Sequence, residues 1–154
     1  MEDVAFWRSL NDQRLNGTPL YCRPFLERKP QRCAAAVAAV AHARPGQVIF
    51  HCGGGRDRTG LLALLLLALV DVEPDSIATD YELSTEPRRA LLAAMGHKDD
   101  LALFEQALAA RGTTARAAVL ATLEGFDAET YLQSAGLTAD DLTLVRSRLL
   151  DQRR

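Results

Sequence analysis

The stretch QVIFHCGGGRDRTGLLALLLLALV, residues 47–70, contains the order of elements from which the rest of the chain is read. It follows the Pro45-Gly46 break, and its first four residues, Gln47, Val48, Ile49 and Phe50, form a β-branched and aromatic run that predicts a short buried strand. The glycine-rich segment 51–60 comes next. Residues 61–70 are apolar on every side, a pattern that suits a helix buried at the centre of a domain rather than one on its surface. At ten residues this run is about half of the ~20 needed to cross a bilayer, so no membrane span is expected.

The physical chemistry of the segment between strand and helix is specific. Three successive glycines, Gly53, Gly54 and Gly55, let the backbone curl so that several N–H groups point inward, and the helix that follows adds its own N-terminal N–H groups and positive dipole end. Together they predict a nest for a tetrahedral dianion such as phosphate. Cys52 sits at the mouth of that nest, where dipoles and the nearby Arg58 favour thiolate; thiols in comparable settings have pKa values of roughly 3.5–7.5. A thiolate held against a phosphate ester is an in-line nucleophile. Arg58 has the planar fork that can follow the phosphoryl oxygens into the transition state, a geometry that lysine does not offer.

Outward from this unit the chain reads as helices. Pro30 opens a segment with Cys33, Val37 and Val40 on one face, which must stop before Pro45. Downstream, Pro87 with Gly96, Asp99 or Asp100 with Gly112, Thr113 with Gly125 and Asp127 with Gly136 are start and stop pairs. Leu101, Phe104 and Leu108 form an apolar stripe in this half. Thr138 and Asp141 resemble a capping box before the stripe Leu142, Val145, Leu149. Besides 47–50, only Thr18 to Tyr21 reads as a strand. The expected fold is therefore α/β, helix-rich with a small and incomplete parallel sheet, in a single domain over 1–154.

Composition limits the function classes. Lys plus Arg is 18 against 20 for Asp plus Glu, a net charge of −2, which argues against nucleic-acid binding by bulk charge. Any anion must be caught locally. Hydrophobic residues at 48% and charged residues at 25% exclude a disordered chain. Three cysteines, Cys22, Cys33 and Cys52, leave at least one thiol unpaired, and with no secretory signal at the N-terminus the expected location is cytoplasmic. Cys33 reads as core, as does Cys22 by a smaller margin.

His51-Cys52, five intervening residues and Arg58-Thr59-Gly60 resemble the HCxxxxxR(S/T)G phosphate loop of the cysteine-dependent tyrosine phosphatases. More narrowly the chain is similar to the atypical bacterial members whose loop reads HCxxGKDRTG and which carry a DYxLS element, here Asp80-Tyr81-Glu82-Leu83-Ser84. Tyr131-Leu132, Gly136-Leu137 and Arg146 fit as well. The resemblance implies a protein tyrosine phosphatase that works without metal or cofactor. Cys52 would form a phosphocysteine intermediate, Arg58 would clamp the phosphoryl group, and Thr59 would hydrogen-bond the sulfur. Gly53, Gly54, Gly55, Arg56 and Gly60 would complete the phosphate loop. Asp57 would be the general acid. Its candidacy has independent support, because residues 13–51 contain no Asp and only Glu27 as an upstream proton donor. His51 is read as orienting the loop, and Asp80 with Tyr81 as holding it from behind.

Two departures bear on this. Arg56 stands where that subfamily usually has Lys, and only 51 residues precede Cys52, fewer than the family places there, so the resemblance implies that the chain matches the C-terminal part of such an enzyme. The expected partner is a phosphorylated protein or a phosphoinositide, with no nucleic acid and with a homodimer as an option. Arg23, Arg28, Lys29 and Arg32 read as a solvated face, or as a rim that draws anionic substrates. Open alternatives are a phosphoinositide or dual-specificity phosphatase, a phosphoserine phosphatase, a phosphate-binding module inactive through truncation, and a rhodanese-type sulfurtransferase.

Overall fold

The structure, a computed structural model, describes residues 2–97 and 100–150. Among these residues the regular elements are all helical: α1 (Glu2–Asp12), a 3-10 turn (Pro19–Tyr21), α2 (Cys22–Arg28), α3 (Pro30–Ala41), α4 (Asp57–Ala68), α5 (Pro74–Glu82), α6 (Thr85–Ala94), α7 (Leu101–Ala109), α8 (Ala115–Leu123), α9 (Ala128–Ser134) and α10 (Ala139–Leu150). The expected helix-rich character holds, whereas the expected α/β class with a small parallel sheet does not.

Both predicted strands are corrected. Of the run Thr18 to Tyr21, residues Pro19–Tyr21 form the 3-10 turn, which Pro19 opens with its preset φ, and Thr18 is the extended residue before it. Residues 47–50 carry no regular structure, although they keep the alternation of a strand. Val48 and Phe50 pack on the core, while Gln47 is exposed and Ile49 is 88% exposed. A strand exists through hydrogen bonds to a neighbouring extended segment, and the described residues offer none. Side-chain pattern reports which face of a segment is apolar and says nothing about whether a partner backbone lies beside it.

The central helix is where the sequence places it. α4 packs against α3 on one side and α5 on the other. Leu61, Leu65, Leu66 and Leu69 enter a core built from α1, α2, α3, α9 and α10, while Leu64 enters a second cluster with Ile77, Ala78 and Tyr81 of α5 and Val119 and Leu123 of α8. A helix between two apolar clusters must be apolar all round. The first cluster includes an aromatic group in which Tyr21 lies 5.1 Å from Phe25 and stacks 6.1 Å from Trp7.

Several predicted caps are present. Asp127 accepts a hydrogen bond from the Thr130 N–H at 2.9 Å to start α9, and Thr114, one residue past the expected Thr113, caps α8 through the Ala117 N–H. Thr138 and Asp141 form the reciprocal box at α10: the Thr138 N–H donates to Asp141 at 2.9 Å and the Asp141 N–H to the Thr138 hydroxyl at 3.1 Å. α6 begins two residues before Pro87. Asp100 occupies the N-cap position of α7 without capping through its side chain, and Asp99 lies outside the described residues. The late stretch acts as a set of staples. The Tyr131 hydroxyl donates to the Leu26 carbonyl at 2.7 Å, and Arg146 donates to the Leu69 carbonyl just past the end of α4 while pairing with Glu129.

Candidate active site

The glycine loop leads directly into α4, whose first residue is Asp57, so Asp57, Arg58, Thr59 and Gly60 form its opening turn. Gly55, at φ +67°, lets the chain turn into that helix. Cys52 is half-buried, and partial burial alone would raise its pKa. The polar groups of Thr59, Gly55 and Gly54 beside the sulfur favour its charged form and outweigh that cost, so the thiol lies below its ordinary value. The other two cysteines behave in the opposite way: burial pushes Cys22 up to about 12 and raises Cys33. Of the three thiols, Cys52 is the one shifted toward the charged form.

Asp57 is half-buried at the head of α4, and burial raises its pKa against the opposing effects of the Gly17 N–H and of Arg56, Arg88 and Arg58. The Gly17 N–H donates to its carboxylate at 2.9 Å. Gly17 sits at φ +85°, and a methyl group at its Cα would lie 2.2 Å from the Phe104 ring, so only glycine fits this turn. The carboxyl group is thus held above its usual range and the Cys52 sulfur below its own.

The remaining predicted residues divide. Arg58 is exposed and, with Arg32, His51 and Thr59, lines a cavity of about 220 Å³ whose apolar wall includes Phe25, Phe50 and Leu62. His51 is exposed, its Nδ1 3.4 Å from the Cys52 carbonyl. Arg56 points away from solvent, only 3% exposed, with its guanidinium 5.8 Å from the Tyr81 ring and 5.5 Å from the Phe104 ring. Asp80 is exposed on α5, and the contact behind the loop is made by Tyr81. A methyl group on Gly60 would lie 2.8 Å from the Tyr81 ring, so the loop's last glycine and the aromatic of the DYxLS element are in direct contact. Arg23, Arg28, Lys29 and Arg32 do not converge: Arg23 donates to the Ala121 carbonyl, Lys29 lies over Phe6, Arg28 borders a groove beside α1, and Arg32 reaches the cavity beside Arg58.

Two contributors were not legible in the sequence. Phe104 reads there as one position of an apolar stripe, yet it touches Gly17 and lies under both Arg56 and Arg88. Arg88 belongs to a helix with no buried residue, yet its guanidinium reaches Gly54. The isolated Gly17 was the one available signal for this side of the site.

Cys52, the glycine loop and the opening turn of α4 form one continuous candidate site. The chain belongs to the tyrosine phosphatase family, whose sequence model matches residues 8–151. It is similar to a tyrosine-protein phosphatase of Nostoc commune, 44% identical over 45 residues, which is 29% of this chain and 15% of that protein. It is also similar to a Cupriavidus necator protein provisionally named a tyrosine-protein phosphatase, 49% identical over 43 residues, 28% of this chain and 15% of that one. The matched part thus spans about one seventh of each relative's length. No solved structure matches.

Proposed function

We propose that this chain hydrolyses phosphotyrosine monoesters in two steps through Cys52. The observation that carries the reading is the placement of Cys52 on the glycine loop that opens α4, where Thr59, Gly55 and Gly54 favour its charged form. In the first step the Cys52 sulfur attacks phosphorus and the bond to the tyrosyl oxygen breaks, while Asp57 gives its proton to that oxygen. In the second, Asp57 takes a proton from water, which attacks the phosphocysteine; inorganic phosphate leaves and the Cys52 thiolate is restored. Thr59 stabilises the departing sulfur by donating to it. Arg58, at the mouth of the loop, binds the phosphoryl oxygens through its fork.

The deciding experiment is phosphate release from an aryl phosphate and from a phosphotyrosyl peptide with EDTA present. Activity is expected from the parent chain and loss of at least a thousandfold from Cys52→Ser. Parent-like turnover by Cys52→Ser would overturn the mechanism. Preference for a phosphoinositide over the phosphotyrosyl peptide would keep the chemistry and change the substrate. A second reading, an anion-binding module without turnover, draws on the absence of a strand pair at 47–50 to anchor Cys52. Under that reading tungstate raises the Tm while hydrolysis stays at background.

A further inference from the structure

We propose that Arg88 is a positioning residue of the phosphate site, holding the glycine loop in its anion-binding shape and placing a fixed positive charge beside Cys52. The inference rests on the reading of Cys52 as the nucleophile. It starts from an oddity of α6, which contributes no buried residue to the core but sends one guanidinium across to the loop.

Three contacts fix that guanidinium. Its Nε donates to Asp100 at 3.2 Å and its Nη2 to the other oxygen of the same carboxylate, a two-point grip that sets the plane of the fork. The Phe104 ring lies 5.2 Å beneath it and gives the plane a second support. With the Nε and Nη2 edge on Asp100, the Nη1 corner is directed at the loop: a methyl group on Gly54 would lie 2.1 Å from it. Gly54 is thus the point where backbone and guanidinium meet, and its missing side chain is what permits the approach.

The consequences follow from charge and rigidity. A glycine triplet has the most conformational freedom to lose, so a contact that confines it lowers the cost of ordering the N–H groups around an anion. The groups that face this site from the elements packed around it are Cys52, Asp57, Arg56 and Arg58 from the loop and α4, and Asp100 from the start of α7. Arg88 interacts favourably with the charged forms of both Cys52 and Asp57. Removing its charge should therefore move Cys52 toward the neutral thiol. Arg88 makes its contact with the loop and acts on the reacting atoms through it.

The test uses the full chain and two readouts that do not require turnover. The first is the pH midpoint of Cys52 alkylation by iodoacetamide, assigned by mass spectrometry against the buried Cys22 and Cys33; the second is affinity for tungstate. Arg88→Gln is expected to raise the alkylation midpoint and weaken tungstate roughly tenfold. Arg88→Lys, which keeps the charge but cannot grip Asp100 at two points, should hold the midpoint and weaken tungstate about threefold. In a Gly54→Ala background, where the approach is blocked, the effect of Arg88→Gln should largely disappear. An unchanged midpoint and affinity in Arg88→Gln would overturn the proposal, even with a lowered Tm. Should Arg88→Gln fail to fold, parent-like tungstate affinity in Arg88→Lys would overturn it. If the parent chain showed no phosphatase activity, the proposed function would fail by itself, and both readouts would still report on Arg88.

Discussion

At the residue scale the chemistry depends on neighbours one or two atoms deep. Asp57 and Cys52 are shifted in opposite directions by different causes, burial for the carboxyl and neighbouring polar groups for the sulfur. The proposed mechanism needs Cys52 deprotonated and Asp57 protonated. The pH profile of kcat/KM should therefore be bell-shaped, with one limb from each group. Asp57→Asn is expected to remove one of the two limbs and to slow esters of poor leaving groups at least tenfold more than esters of good ones; equal slowing for both would remove Asp57 from the acid role. Gly60 presents a competition of magnitudes. Gly60→Ala gains about 1 kcal/mol of helix propensity. The new methyl, 2.8 Å from the Tyr81 ring, forces a buried aromatic to move, at a typical cost of ~1–3 kcal/mol. A net loss of stability is expected in urea unfolding, with Cys52 reactivity altered because the displaced ring supports the loop.

At the scale of elements, the ends of the helices do much of the specifying. The box at α10 joins three parts of the chain, because Asp141 also takes a 2.5 Å hydrogen bond from His42, just past α3. The N–H and hydroxyl of Thr138 and then His42 hold the Asp141 carboxyl down to about 2. Its folded value lies below the ordinary carboxylate value of about 3.9, so the stability it contributes is present above that value and is lost as pH falls toward about 2. Asp141→Asn should lower the Tm at neutral pH, and the gap from the parent should close on acidification across that window. A gap of constant size would mean that the ionised carboxylate is not what matters. The same scale explains the correction at 47–50. Caps and glycine stops act within a few residues and are legible in sequence, whereas a strand needs a partner from elsewhere.

For the whole molecule, α4 carries both core and site. Leu65 is 1% exposed in the larger cluster and Leu64 1% exposed in the smaller one, one residue apart on the same helix. Leu64→Ala and Leu65→Ala should each cost about 2–5 kcal/mol. Because one helix joins the clusters, each should lower a single transition seen alike by tryptophan fluorescence and far-UV circular dichroism; separate transitions would show that the clusters unfold independently. Much of this arrangement was legible in residues 47–70. The all-round apolar run determined a central helix, and the glycines determined a loop that turns into it beside Cys52. Asp141 and Asp127 were readable because caps follow local rules. What only the tertiary structure decided are the contacts made across the chain: Tyr81 rather than Asp80 behind Gly60, Arg56 turned inward between Tyr81 and Phe104, and Arg88 brought to Gly54 by Asp100. The physical reason is range. Helix propensity, capping and backbone freedom belong to adjacent residues and are written in their order, whereas burial of a guanidinium, strand pairing and the direction of a side chain depend on what packing places opposite them.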